Sequence, residues 1–198
     1  VPQEKQPGLV ARGEALEDRQ RHGVELLGLP ERPAVPSAPS AGEAVVLVEA
    51  LAQAVVKADA YGHGAVPVAN AAKEAGVDGF CVAMLDEGLE LRNAGIDRLM
   101  LVLGLTPVHY APIAALNDIS LTVGSTSWLK EYAELAKHES LPPLKVHLVL
   151  DTGMGRIGFQ SVKEFKEALD LVRQPVFVFE GMFTHFATAD EADDTYFK

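Results

Sequence analysis

The chain has 198 residues, of which 48% are hydrophobic and 23% charged, with a formal net charge of −11; that length supports one buried core or slightly more than one domain. The acidity argues against a general nucleic-acid or anionic-membrane binder, whose affinity rests on clustered Lys and Arg. Cys81 stands alone, which leaves no disulfide framework and no cysteine-based zinc site.

No apolar run approaches the roughly 18 residues of a membrane span, and the N-terminus lacks the basic-then-apolar layout of a secretion signal. A cytoplasmic protein is the expectation. Residues 1–42 are dominated by Gln, Glu, Arg, Gly and Pro, with Pro30, Pro33, Pro36 and Pro39 interrupting a stretch poor in large apolar side chains. Such a segment buries too little surface to offset its ordering entropy, so it is expected to be disordered or irregular, with some helix around Glu14 to Leu27.

From residue 43 onward, β-rich runs alternate with helical patterns. Strands are expected at Gln53–Ala58, Gly79–Met84, Arg98–Leu103, Ser120–Val123, Leu144–Leu150 and Phe177–Phe186. Helices are expected at Ala65–Ala75, Asp86–Asn93, Tyr110–Leu116, Thr126–His138 and Ser161–Arg173. Asp86 and Glu87 place negative charge in a first turn, and Ser161 followed by Glu164 resembles a capping box. This alternation predicts a parallel sheet with crossover helices. One G-x-G-x-x-G spacing occurs, Gly153-Met154-Gly155-Arg156-Ile157-Gly158, but it follows the fifth expected strand rather than the first βα turn, where a doubly wound dinucleotide-binding sheet carries it. The fold class expected is therefore α/β, a partial (β/α)8 barrel of about six βα units.

In a barrel, functional groups project from the carboxyl ends of strands. Three unusual strings fall there: Lys57-Ala58-Asp59-Ala60-Tyr61-Gly62-His63-Gly64, Asp151-Thr152-Gly153-Met154-Gly155-Arg156-Ile157-Gly158, and Thr184-His185-Phe186-Ala187-Thr188-Ala189-Asp190. An amine held on a rigid element beside a glycine-bracketed turn suits Schiff-base chemistry; the bland alternative is a solvated lysine at a strand end. Arg156 offers a planar fork that matches a carboxylate bidentately, or else a surface ion pair.

With Leu85-Asp86-Glu87-Gly88-Leu89-Glu90-Leu91-Arg92 as a fourth box, the chain resembles the alanine racemases, pyridoxal-phosphate enzymes of fold type III, over roughly Gln53 to Lys198. The resemblance implies that residues 43–198 form an incomplete pyridoxal-phosphate-binding barrel and that a C-terminal β-domain is absent. It implies pyridoxal 5'-phosphate as cofactor and interconversion of L- and D-alanine, which supplies D-alanine for cell-wall synthesis. Lys57 is then the catalytic, cofactor-carrying lysine, acting on the D-alanine face. Tyr61 is similar to the tyrosine that hydrogen-bonds the cofactor phosphate, and His185 to the histidine against the cofactor ring. Arg156 is similar to the arginine that contacts the substrate carboxylate. His63 is left structural, and no metal is implied.

The pattern is broken at one place. Two residues before Asp151 the family often has a lysine, carbamylated in some members, which orients the arginine; here the residue is Val149. In the family a partner subunit of a homodimer brings the tyrosine base for the opposite face of Cα, and Tyr196 is not that residue. Little or no racemase activity is therefore expected of this chain alone. The alternative is a non-catalytic pyridoxal-phosphate-binding barrel of the cofactor-homeostasis type; an inert, partly folded fragment is a third reading, and serine is a competing substrate.

Overall fold

The computed structural model describes residues 52–188. The Pro-punctuated segment, the helix expected near Glu14 to Leu27, and Tyr196 lie outside the described residues. Six strands form one sheet: β1 (Gln53–Val55), β2 (Gly79–Val82), β3 (Leu99–Leu105), β4 (Ser120–Val123), β5 (Leu144–Leu150) and β6 (Phe177–Thr184). Between them run α1 (Ala65–Glu74), α2 (Leu85–Asn93), α3 (Ala111–Leu116), α4 (Thr126–Ala136) and α5 (Val162–Leu171). All pairings are parallel and the spatial order is the chain order. A doubly wound sheet would reverse direction at a switch point. This one never does, which is the winding of a barrel segment.

Alternation divides each strand between two environments. Phe80, Val82, Met100, Val102, Leu121, Val123, Val146 and Leu148 pack with the helices in one buried apolar cluster. The opposite face, by register, carries Gln53, Cys81, Leu101, Thr122, Lys145, His147 and Val149. It is more polar than the nearly continuous apolar runs suggested. The Cys81 thiol donates to Gln53 Oε1 at 2.8 Å, and burial pushes that thiol up to about 11. It is a packed, protonated group.

Helix starts follow the sequence signals. Ser161 accepts from the Glu164 amide and Ser125 from the Trp128 amide, each the side-chain cap of its helix. The Leu85–Arg92 box has a structural component: the Arg92 guanidinium donates to the carbonyls of Ile96, Arg98, Asn117 and Asp118 at 2.6–3.0 Å. One side chain thus ties the end of α2 to the approaches of β3 and β4. We expect Arg92→Ala to cost on the order of 3 kcal/mol, since four carbonyls lose a charged donor. Lysine, a point charge without the fork, should recover only part. Urea midpoints of the three proteins check this.

Inside the sheet's concave half a second polar cluster joins β4, β5 and β6. A bulge between Val146 and His147 in the β5–β6 register leaves Glu180 beside Ser120, whose hydroxyl donates to Glu180 Oε2. Lys145 Nζ lies 3.6 Å from Glu180 Oε1 and 2.7 Å from Asp118 Oδ1. His147 Nε2 stands 3.4 Å from Glu180 Oε2 without the alignment of a hydrogen bond. Burial raises the Glu180 proton affinity, but contacts from His147, Ser120 and Lys145 outweigh it and leave the carboxyl below its ordinary range. A depressed folded value stabilises the fold above the unfolded value, about 4.3. That contribution fades as pH falls through the folded value. Glu180→Gln should therefore lower stability at neutral pH by on the order of 1–3 kcal/mol and flatten its decline below pH about 4, as read by thermal melts across pH.

Candidate functional site at the carboxyl ends of the strands

The expectation that a strand runs Gln53–Ala58 is corrected. Pairing stops at Val55, and Lys57 opens a one-turn helix, Lys57–Gly62, in which Ala58, Asp59, Ala60 and Tyr61 all have φ between 51° and 58°. Left-handed helical residues other than glycine cost about 1–2 kcal/mol each, so four in succession persist only if their surroundings hold them. Several bonds do so. The Ala60 amide donates to Val56 O, the Gly64 amide to Asp59 O, and the Ala65 amide to Asp59 Oδ1 at 2.6 Å. The Ala58 amide donates to Glu87 Oε1 at 2.7 Å, while Val56 and Ala60 are buried on either side of it. Nothing in residue types alone signals the turn: Ala and Tyr are poor left-handed formers. In the sequence Glu87 is a first-turn charge; its bond to Ala58, 29 residues away, exists only in three dimensions.

The Asp151–Gly158 string forms a closed loop. Its return is pinned by Phe159, whose amide donates to Val149 O and whose carbonyl accepts from the Asp151 amide, with the Phe159 ring buried in the core. Gly158 has φ 119°, and a Cβ there would come within 2.7 Å of the Asp151 nitrogen, so no other residue fits. The Asp151 carboxylate organises the interior of the loop. Gln160 Nε2 donates to Oδ2 at 3.0 Å, and the amides of Gly155 and Gly153 donate to Oδ1 at 2.9 and 3.1 Å. Those bonds, Gln160's first, hold the carboxyl below the usual carboxylate range. The loop's end is tied to β6 by Thr184, whose hydroxyl donates to Leu150 O and meets Thr152 Oγ1 at 2.8 Å.

These elements converge on one cavity of about 480 Å3, within the size range of small-molecule sites. It is lined by Lys57, Arg156, His185 and Asp151, with Ala83, Leu103, Leu105, Val149 and Phe183 among its apolar walls. Strand alternation explains the walls, since Ala83, Leu103, Leu105, Val149, Asp151 and Phe183 share one face at the carboxyl ends of their strands; Lys57 and Arg156 are brought in by the turn and the loop that follow β1 and β5. Gly104 lets β3 approach β2 closely, since a Cβ would sit 2.5 Å from Ala83 O.

Three of the four site residues expected from sequence thus meet in one space. Tyr61 stands beside them, exposed, with its ring centroid 5.8 Å from Lys57 Nζ. Val149 is buried and lines the cavity. At that position the side chain is uncharged, and the loop carrying Arg156 is organised by the Asp151 carboxylate. The cavity offers an amine, a guanidinium and an imidazole, a donor set suited to an aldehyde-bearing, anionic cofactor and a carboxylate substrate.

A segment of parallel strands in chain order, with an amine-bearing cavity at their carboxyl edge, defines the class: a partial (β/α) barrel. Residues 45–198 match the sequence model described as alanine racemase, N-terminal domain, and the chain belongs to that family. It is 68% identical over 146 residues to the alanine racemase of Limosilactobacillus fermentum, covering 73% of this chain and 39% of that protein. The crystal structure of alanine racemase from E. faecalis superposes with a TM-score of 0.71 at 50% identity, covering 74% of this chain and 40% of that one. A histidine racemase from Leuconostoc mesenteroides gives 0.70 at 40% identity, with 74% and 40% covered. The chain therefore spans about two-fifths of the length of these relatives.

Proposed function

We propose that this chain forms the cofactor-binding barrel portion of a pyridoxal-phosphate-dependent alanine racemase, acting in the cytoplasm as part of a homodimer and supplying D-alanine. The observation that supports it is the convergence of Lys57, Arg156 and His185 on one cavity. The residues present fit the cofactor. Lys57 would hold it covalently, His185 would lie against its ring, and Tyr61 would reach its phosphate from the rim. Bound there, pyridoxal phosphate supplies an electron sink that acidifies the substrate's Cα–H.

The chain's own residues then do the rest. Arg156 takes the substrate carboxylate in its fork and so fixes which Cα substituent faces Lys57. The Lys57 amine would accept or return the Cα proton on one face. Leu103, Leu105, Val149 and Phe183 supply apolar walls around that atom. Racemisation also needs a proton carrier on the opposite face, and that group would come from the partner subunit.

Alanine is favoured over other amino acids by the names of the alanine racemase relatives reported above. The histidine racemase with a similar barrel makes histidine the comparison substrate. The test is exchange of the Cα proton in deuterated water, with L-alanine, D-alanine, serine and histidine supplied in turn, using this chain extended through its relatives' remaining length. Exchange confined to alanine supports the reading; preference for histidine or serine would replace the substrate, and no exchange with any would favour a non-catalytic cofactor binder.

A further inference from the structure

We propose that Glu87 is a positioning residue for the Lys57 amine, a role that rests on Lys57 being the cofactor lysine. The carboxylate reaches two walls of the cavity at once. Oε1 accepts the Ala58 amide at 2.7 Å, the first N–H after Lys57. Oε2 accepts the amides of Ala83 at 2.6 Å and Met84 at 3.2 Å, and Ala83 lines the same cavity as Lys57. The Met84 bond is the glutamate half of a capping box at the start of α2, and the Ala83 bond lies one residue before it. The bond to Ala58 is of another kind: it spans 29 residues and serves no helix end of α2.

That bond falls where the backbone most needs it. Ala58 begins the run of four left-handed residues, with φ 51°, and its amide points away from the bonds that close the turn from within. Ala60 and Gly64 donate inside the turn, to Val56 and Asp59; Glu87 supplies the tie from a different βα unit. With that tie the left-handed turn aims the root of Lys57 at the cavity. Without it, Ala58 is free to relax toward the right-handed or extended regions that alanine prefers, and relaxation there rotates Lys57.

Glutamine at position 87 separates the two roles. Its carbonyl oxygen still caps α2 through Ala83 and Met84, but its NH2 group faces the Ala58 N–H, donor against donor. The experiment uses this chain with pyridoxal phosphate, trapping the cofactor on Lys57 by borohydride and reading the labelled peptide by mass. In parallel, hydrogen exchange is followed at the Ala58–Tyr61 amides. Glu87→Gln is expected to trap the cofactor about tenfold more slowly, as small displacements of reacting groups do. It should also speed exchange at Ala58–Tyr61 and leave the amides of α2 protected. Glu164→Gln, at the start of α5 and remote from the cavity lining, should trap at the parent rate.

A rescue distinguishes positioning from general damage. Adding Ala58→Gly to Glu87→Gln removes the steric penalty of φ 51° and should restore part of the trapping rate, whereas a defect in the α2 cap or in folding would not respond to position 58. Parent-like trapping and exchange in Glu87→Gln would overturn the proposal, as would a double variant no better than the single one. If the parent chain itself traps nothing on Lys57, the cofactor reading fails instead, and the exchange at Ala58–Tyr61 still decides whether Glu87 holds the turn.

Discussion

Replacing Lys57 with alanine is expected to abolish covalent attachment of pyridoxal phosphate to this chain, with no residual label on the peptide after borohydride reduction. In the chain extended through its relatives' length, racemisation should fall by roughly 10³-fold or more, since a nucleophile and a general acid–base are lost together. The fold should be little affected. Lys57 is half-buried at the edge of the cavity, its ring contact with Tyr61 is long, and the turn is held by backbone groups rather than by its amine. An added small amine should return part of the activity by replacing the missing base. Parent-level racemisation by Lys57→Ala without such an amine would rule out the assigned role.

Replacing Arg156 with alanine should act differently, chiefly on substrate affinity. The guanidinium stands exposed at the tip of a loop whose shape is set by Asp151, Gly158 and Phe159, so the variant should fold and still take up cofactor on Lys57. Loss of a bidentate carboxylate contact is expected to raise KM for alanine by roughly 100-fold. Arg156→Lys should recover only part of that, because an ammonium cannot supply two parallel bonds. Steady-state kinetics, with simple carboxylates as competitive inhibitors, check both. A KM that does not move would place the carboxylate elsewhere.

The two variants together test an arrangement in which the usual lysine neighbour of the arginine is absent. Val149 contributes an apolar wall where a charge would otherwise sit, and the Asp151 carboxylate spends its bonds on Gln160 and the glycine amides. Among the described residues, Arg156 is thus placed through its loop, with no side-chain ion pair to it. The loop depends on Asp151 being ionised, and its carboxyl lies below the usual range, so the arrangement should survive mildly acidic conditions and loosen only as pH falls through that depressed value.

The α/β barrel winding was legible in the residue pattern alone, as was the position of the polar strings past the strand ends. Parallel strands need crossover connections, and regular alternation of β-rich runs with helical patterns supplies them; in such a sheet the three polar strings at strand ends fall at one edge. The boundaries at Ser161 and Ser120–Val123 followed from local capping and β-propensity, which are properties of neighbouring residues. Where distant groups meet is set by packing of the whole sheet. Pairing with β2 ends at Val55, and a carboxylate 29 residues away supports a left-handed turn that the propensities of Ala58, Asp59, Ala60 and Tyr61 oppose. The Arg92 staple and the Glu180 cluster likewise depend on carbonyls and side chains from separate strands. Periodicity reports which face a residue occupies, whereas long-range hydrogen bonding depends on register, bulges and loop closure, and these are fixed only when the whole sheet packs.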